Sequence, residues 1–216
     1  ASNHPRMMRT LLTVRRRGGK VIVVNPIVET GLVKFAVPSD PVSLLFGSRI
    51  ASTYVQPHVG GDLALVYGLL KRVRELGASD ERFLAEHTHG WPELAARLDG
   101  LSWDEIVAKS GVAKREIDDV AEQYAKCQRA VFAWTMGVTH HLHGGATVQA
   151  ICALALARGM VGKPGAGLQP IRGHSNIQGL GTVGVTPQLK DAIFRRLEET
   201  WGVTLPTTRG YDTLEC

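Results

Sequence analysis

At 216 residues, with 44% hydrophobic and 21% charged side chains, the chain is long enough to bury a substantial core and too ordinary in composition to be disordered or fibrous. Its 25 lysines and arginines against 20 aspartates and glutamates leave a charge of +5, but much of the excess is local, in Arg6, Arg9, Arg15, Arg16, Arg17 and Lys20. With 6% aromatics and no basic-aromatic interleaving, that balance does not point to nucleic acid.

Cys127, Cys152 and Cys216 are odd in number, far apart and without a Cys-x-x-Cys pair. The pattern argues against a disulfide framework, a structural zinc or an iron–sulfur cluster within these residues, and it fits a reducing, cytoplasmic compartment. No apolar run approaches the roughly 18 residues that a membrane span requires, and "ASNHPRMMRT" contains no signal-peptide core. That start also lacks an initiator methionine, so the chain reads as a piece of something longer.

The first expected element is a helix opening at Pro5, carrying Met8, Leu11, Leu12 and Arg15 at helical spacing and stopping at Gly18-Gly19. "KVIVV" (20–24) is a short β-branched run of the kind buried in parallel sheets, and it ends abruptly at Asn25-Pro26. Ligands in open α/β sheets sit beyond the carboxyl ends of strands, so "NPIVET" is either a ligand loop or a plain Asn-Pro turn. Residues 32 to 59 read as short strands and loops broken by Pro38, Pro41, Gly47 and Pro57. In "GGDLALVYGLLKRVRELG", Leu63, Val66, Leu69, Leu70 and Val73 form one apolar helical face. Asp62, at that helix's start, either caps it or meets a ligand's N–H groups.

Residues 80 to 126 read as a helical block. Ser102 to Glu105 ("SWDE") is a capping box for a helix ending near Gly111, and the next helix repeats Ile117, Val120, Ala121 and Tyr124. Its Glu116, Asp118, Asp119 and Glu122 would repel phosphate, which excludes a helix-turn-helix reader of DNA. A strand at 129–135, the loop "MGVTHHLHGG" and a small-residue helix at 146–160 repeat the strand-loop-helix pattern. The alternation predicts a single α/β domain over 1–216, with a doubly wound, mostly parallel, Rossmann-like sheet and the helical block inserted. "GLQPIRGHSNIQG" (167–179) places Arg172, His174, Asn176 and Gln178 at every second position, as if on one side of an extended segment, and an amphipathic surface helix is expected after Pro187.

Loops at 25–30, 136–144 and 170–179 would each supply close-approach backbone and polar groups, glycines where present let main chain approach a bulky cofactor, and helix N-termini favour anions such as pyrophosphate, so a nucleotide-bearing ligand is expected. No G-x-G-x-x-G or Walker sequence is present. His140, His141 and His143 with His174 lack the spacing of a metal set, no nucleophile elbow marks a hydrolase, and His87 and His89 read as surface or helix-end residues.

"TMGVTHHLHGG…AICALALARGMVGKPGAGLQPIRGHSNIQG" resembles the central stretch of formate dehydrogenase alpha-type molybdopterin oxidoreductases of the dimethyl sulfoxide reductase superfamily, in wording closest to the "oxidoreductase alpha (molybdopterin) subunit" branch. The resemblance extends back through "GGDLAL" and "VVNPIVET" to "SNHP", and forward to "WGVTLPTTRGY". It implies bis-molybdopterin guanine dinucleotide around molybdenum or tungsten, with this chain as the nucleotide-binding-fold domain gripping one of the two dinucleotides. Asn25, Pro26, Glu29, Thr30 and Asp62 would then address the guanosine end, and Met136, Gly137, Val138 and His140 would line the cofactor's path. Gly173, Asn176 and Gln178 would run beneath the metal centre.

In the same resemblance Arg172 matches an active-site arginine whose guanidinium fork suits formate or a similar small anion, while Arg172 read alone suits a structural salt bridge. His174 stands where many formate dehydrogenases carry glutamine, and it would move a proton or hydrogen-bond substrate or pterin. Thr182-Val183, His140 and Ile27-Val28 depart from the family's common residues. The metal's protein ligand, an active-site lysine and any cluster cysteines would lie upstream of Ala1. The chain alone is therefore expected to be inactive, to work with the remaining domains of its oxidoreductase and an electron acceptor, and to have no nucleic-acid partner. A regulatory nucleotide-binding module, or a basic interaction protein using its first helix, are the readings outside enzymology.

Overall fold

Pro5 has no amide hydrogen to lose in a helix's first turn, and α1 (Pro5–Arg16) starts on it. The structure is a computed structural model that describes residues 4–211 and residue 215, so Ser2, Asn3 and Cys216 lie outside the described residues. α1 buries Met8 and Leu12 and carries Arg15 and Arg16 in its last turn, where cations suit the helix's negative end. β1 (Ile22–Val24) follows as the last three residues of the expected strand. The stretch read only as short strands and loops contains α2 (Thr30–Val33), β2 (Lys34–Phe35), α3 (Pro41–Phe46), β3 (Ser48–Arg49) and β4 (Thr53–Val55).

α4 (Asp62–Glu75) is rotated from its expected face: Leu65, Gly68, Leu69, Leu70 and Val73 are buried, while Leu63 and Val66 are only half-buried. Gly68 explains the turn of the helix. A Cβ there would lie 2.8 Å from Ile106 Cγ2 and 3.3 Å from Ile117 Cδ1, so the glycine admits close helix approach that a hydrophobicity pattern does not register.

The helical block comprises α5 (Glu81–His87), α6 (Trp91–Gly100), α7 (Trp103–Ser110) and α8 (Lys114–Lys126). The capping box forms, with the Glu105 amide donating to Ser102 Oγ at 3.1 Å, and Gly111 ends α7 in the left-handed region. α8 buries Ile117, Val120, Ala121 and Tyr124, the face its spacing predicts. Then come β5 (Val131–Trp134), a short α9 (Met136–Thr139) that the loop reading did not foresee, α10 (Gly144–Leu156) and β6 (Gly167–Pro170).

The class is α/β, as expected. β1 pairs in parallel with β4, from Ile22 opposite Thr53 to Val24 opposite Val55. β5 pairs in parallel with β6, from Val131 opposite Gly167 to Trp134 opposite Pro170. β2 and β3 form an antiparallel hairpin. Each ladder is two-stranded, and helices rather than further strands cover the apolar surface. The main core joins α4, α7, α8 and α10, and Ile22 and Val55 from one parallel pair and Phe132 and Leu168 from the other pack on it. A second core gathers Met8, Leu12, Val21, Val23, Val37, Ile50 and Ala51.

The chain divides into two compact units, the first running to Ile171 and the second from Arg172. The second contains α11 (Ile177–Thr182) and α12 (Asp191–Trp201), neither of which buries a residue. Among the described residues, no helix is long and apolar enough to cross a membrane.

Candidate ligand loops at the carboxyl ends of the parallel strands

Because β1 and β4 are parallel neighbours, the segments that follow them leave from the same edge. The first begins at Asn25, whose amide extends the ladder to the Val55 carbonyl at 3.0 Å and whose Oδ1 accepts from the Ile27 amide at 3.0 Å. That side chain closes an Asx turn, which holds Pro26 and Ile27 outward. β4 braces the loop from beside it. Tyr54 Oη donates to the Ile27 carbonyl at 2.8 Å and accepts from the Glu29 amide at 3.0 Å, while Gln56 Nε2 donates to the Pro26 carbonyl at 3.1 Å. The Glu29 carbonyl then accepts from the Leu32 and Val33 amides, launching α2 at Thr30.

Asp62 opens α4 in the segment that follows β4, but it does not cap the helix. Gly61 occupies the cap position, and a Cβ on Gly61 would lie 2.8 Å from the Lys109 carbonyl, so packing against the end of α7 reserves that place for glycine. The half-buried Asp62 carboxylate makes no hydrogen bond or ion pair among the described residues. The segments after β1 and β4 thus carry an unengaged carboxylate acceptor, the free Asn25 amide donors and the first-turn N–H groups of α4.

Beyond β5, α9 holds Met136 and Gly137 exposed and Val138 half-buried, and the amide of the exposed His140 donates to the Met136 carbonyl at 2.9 Å. α10 starts at Gly144, where a Cβ would lie 2.2 Å from the Thr139 carbonyl oxygen, whereas a Cβ on Gly145 or Gly137 would meet nothing within 4 Å. The Gly145 and Ala146 amides make no hydrogen bond among the described residues, so the helix presents two free donors over open space. His140, His141 and His143 do not assemble with other groups: among the described residues, no three His, Cys, Asp or Glu side chains could share a metal.

The segment 170–179 does not stay extended. β6 ends at Pro170, Gly173 and His174 bend, Asn176 takes φ of +55° to cap α11, and Gln178 lies inside that helix. The Asn176 carbonyl accepts from the Leu180 amide at 3.0 Å, and Gln178 gives its carbonyl to the Thr182 hydroxyl at 2.8 Å. The alternate polar residues therefore do not line one side of a strand. Arg172, His174, Asn176 and Gln178 are exposed, and their side chains make no hydrogen bond or ion pair among the described residues, which leaves the structural salt bridge for Arg172 without a partner.

The residues the sequence reading missed are Tyr54 and Gln56. Their signal is the i, i+2 spacing of two polar-tipped residues, Tyr54 within β4 and Gln56 just beyond its end, which extended backbone points to one side.

The chain is 38% identical, over 97% of its length, to Protein YdeP of Escherichia coli, of which it spans 29%. It is 30% identical, over 98% of its length, to formate dehydrogenase H of Escherichia coli, of which it spans 28%. Other homologues are oxidoreductases as well. The solved structure of acetylene hydratase from Pelobacter acetylenicus matches 74% of this chain and 20% of that one, with a TM-score of 0.61 at 20% identity, a likeness of fold. No protein-family model matches the chain.

Proposed function

We propose, from the premise that the chain belongs to the molybdopterin oxidoreductase family, which its oxidoreductase homologues support, that it is a cofactor-gripping part of such an enzyme. In this reading it holds the guanine dinucleotide end of one of two molybdopterins around molybdenum or tungsten. The chain spans between 17% and 29% of the length of the curated relatives it matches, and in this reading catalysis belongs to the whole oxidoreductase, with this part alone inactive.

The observation that carries the reading is the unengaged Asp62 carboxylate at the head of α4, in the segment after β4, together with the braced Asn25 loop that follows β4's parallel partner β1. Guanine offers two adjacent donors, its ring N–H and its amino group, and a carboxylate accepts from both; adenine lacks that pair. Asn25, Pro26, Glu29 and Thr30 complete the guanosine side. The free amides at the head of α10 and the open space above Gly145 suit the pyrophosphate, and Met136, Gly137, Val138 and His140 line its approach. These residues fit such a group.

When bound, the cofactor's metal supplies two-electron redox chemistry. Of this chain's residues, Arg172 holds a small carboxylate such as formate through its two parallel N–H donors, and His174 moves the proton or hydrogen-bonds substrate or pterin. Gly173 would let main chain approach the cofactor, and Asn176 and Gln178 would serve it as amide donors and acceptors. The electrons pass to an acceptor served by the rest of the oxidoreductase, and the product from formate is carbon dioxide.

Asp62→Asn in the whole oxidoreductase tests the reading. An amide cannot accept from both guanine donors, so affinity for the one guanine dinucleotide this part grips should fall at least about 10-fold, a loss near 1.4 kcal/mol, and guanine nucleotide content should drop below two per protein. Fold stability should change only by the loss of a first-turn anion, about 0.3–1 kcal/mol. Unchanged nucleotide content with that small stability change would leave Asp62 outside the site.

A further inference from the structure

α3 has its amphipathic pattern inverted. Of its six residues, the one buried is Ser43, whose hydroxyl donates to the Phe35 carbonyl at 3.2 Å and accepts from the Val37 amide at 3.0 Å. The apolar residues face outward, with Val42 63%, Leu44 53%, Leu45 78% and Phe46 72% exposed. A helix serving only its own core would show the opposite arrangement.

The helix is also held firmly. Pro41 sits in its first turn, and Asp40 caps it by accepting from the Ser43 amide at 2.8 Å. Arg16 from α1 grips Asp40 with both guanidinium nitrogens, the second at 2.9 Å. Gly47, at φ of +67°, ends the helix, and a Cβ there would lie 2.6 Å from Lys34 Cε. The β2–β3 hairpin that carries α3 is rooted in the second core by Val37 and Ile50. Four neighbouring apolar side chains are therefore presented on a fixed support, which soluble surfaces seldom leave uncovered.

We propose that α3 is an intramolecular docking surface, covered by an apolar face of the part of the oxidoreductase polypeptide outside the span of this chain. More than two thirds of the length of each curated relative lies outside the matched span, so ample chain exists to cover it. A contiguous, rigid and apolar patch is the character of a permanent contact rather than of a transient, mostly polar one. The proposal rests on the reading of the chain as part of a longer oxidoreductase and not on the cofactor-binding roles given to its residues.

The test introduces one cysteine, Leu45→Cys or separately Phe46→Cys, into the whole oxidoreductase and follows its alkylation by iodoacetamide. The native protein should react at least tenfold more slowly at either position than the same protein unfolded in urea. A native rate within tenfold of the unfolded one at both positions overturns the proposal. So does protection that disappears on dilution to the monomer or on removal of lipid, which would assign the patch to a second copy or to a membrane. Should either variant fail to fold, hydroxyl-radical oxidation of Phe46 in the unaltered protein gives the same comparison, with tenfold protection expected.

Discussion

Replacing Tyr54 with Phe keeps the ring and removes one hydroxyl, and that hydroxyl joins the Ile27 carbonyl to the Glu29 amide at 2.8 and 3.0 Å. A protein hydrogen bond contributes on the order of 1 kcal/mol net. Ile27 is exposed, so water replaces much of its lost donor, while the Glu29 amide is half-buried and loses nearer the full amount. Together they give about 1–2 kcal/mol, or roughly 5- to 30-fold in the balance between the ordered and the opened loop. Hydrogen exchange at single amides of the whole oxidoreductase reads that balance. In Tyr54→Phe the amides of Glu29, Leu32 and Val33 should exchange about 5- to 30-fold faster, with those of α4 and α8 unchanged. An unchanged Glu29 rate would refute the bracing role, and equal acceleration throughout α4 and α8 would show that Tyr54 acts on the whole fold instead.

Gly144→Ala should lower stability by about 1–3 kcal/mol in denaturant titration, because its Cβ would strike the Thr139 carbonyl 2.2 Å away. Gly145→Ala meets only open space, so it should retain stability yet reduce bound nucleotide if the cofactor lies there; full nucleotide content would show that the main chain at 145 is not in contact. Hydrogen bonds from Arg16 and then from the Ser43 amide lower the Asp40 carboxyl from 3.8 to about 2. Its folded value is the lower one, so the stabilisation is complete above the unfolded value and is lost as pH falls toward 2. Asp40→Asn should flatten acid unfolding in that window, and an unaltered slope would count against the linkage. Arg172→Lys should reduce kcat/KM for a carboxylate substrate at least about 10-fold, since an ammonium cannot reproduce the two parallel bonds. Unchanged kinetics would remove Arg172 from the site.

The elements legible in the sequence were those with local causes. Pro5 starts α1, Asn25-Pro26 ends β1, Ser102 and Glu105 begin α7, and the Ile117–Tyr124 spacing gives the buried face of α8. What was not legible depends on distant partners. Gly68 rotates α4 because of Ile106 and Ile117 on other helices, and α3 is fixed by Arg16 from α1. Within 170–179, alternate polarity resembled a strand, but Gly173 and the left-handed Asn176 turn the chain into α11. Of the candidate site, the ligand loops could be located from strand ends and glycines. Their bracing by Tyr54 and Gln56, and the unengaged state of Asp62, required the packed structure.

The most direct measurement is made on the whole oxidoreductase, purified from a host able to synthesise molybdopterin cofactors: molybdenum and tungsten content, with the guanosine monophosphate released by acid hydrolysis. The account predicts one metal and two guanosine monophosphates per protein. Protein that folds in such a host yet contains neither metal nor guanine nucleotide would contradict it.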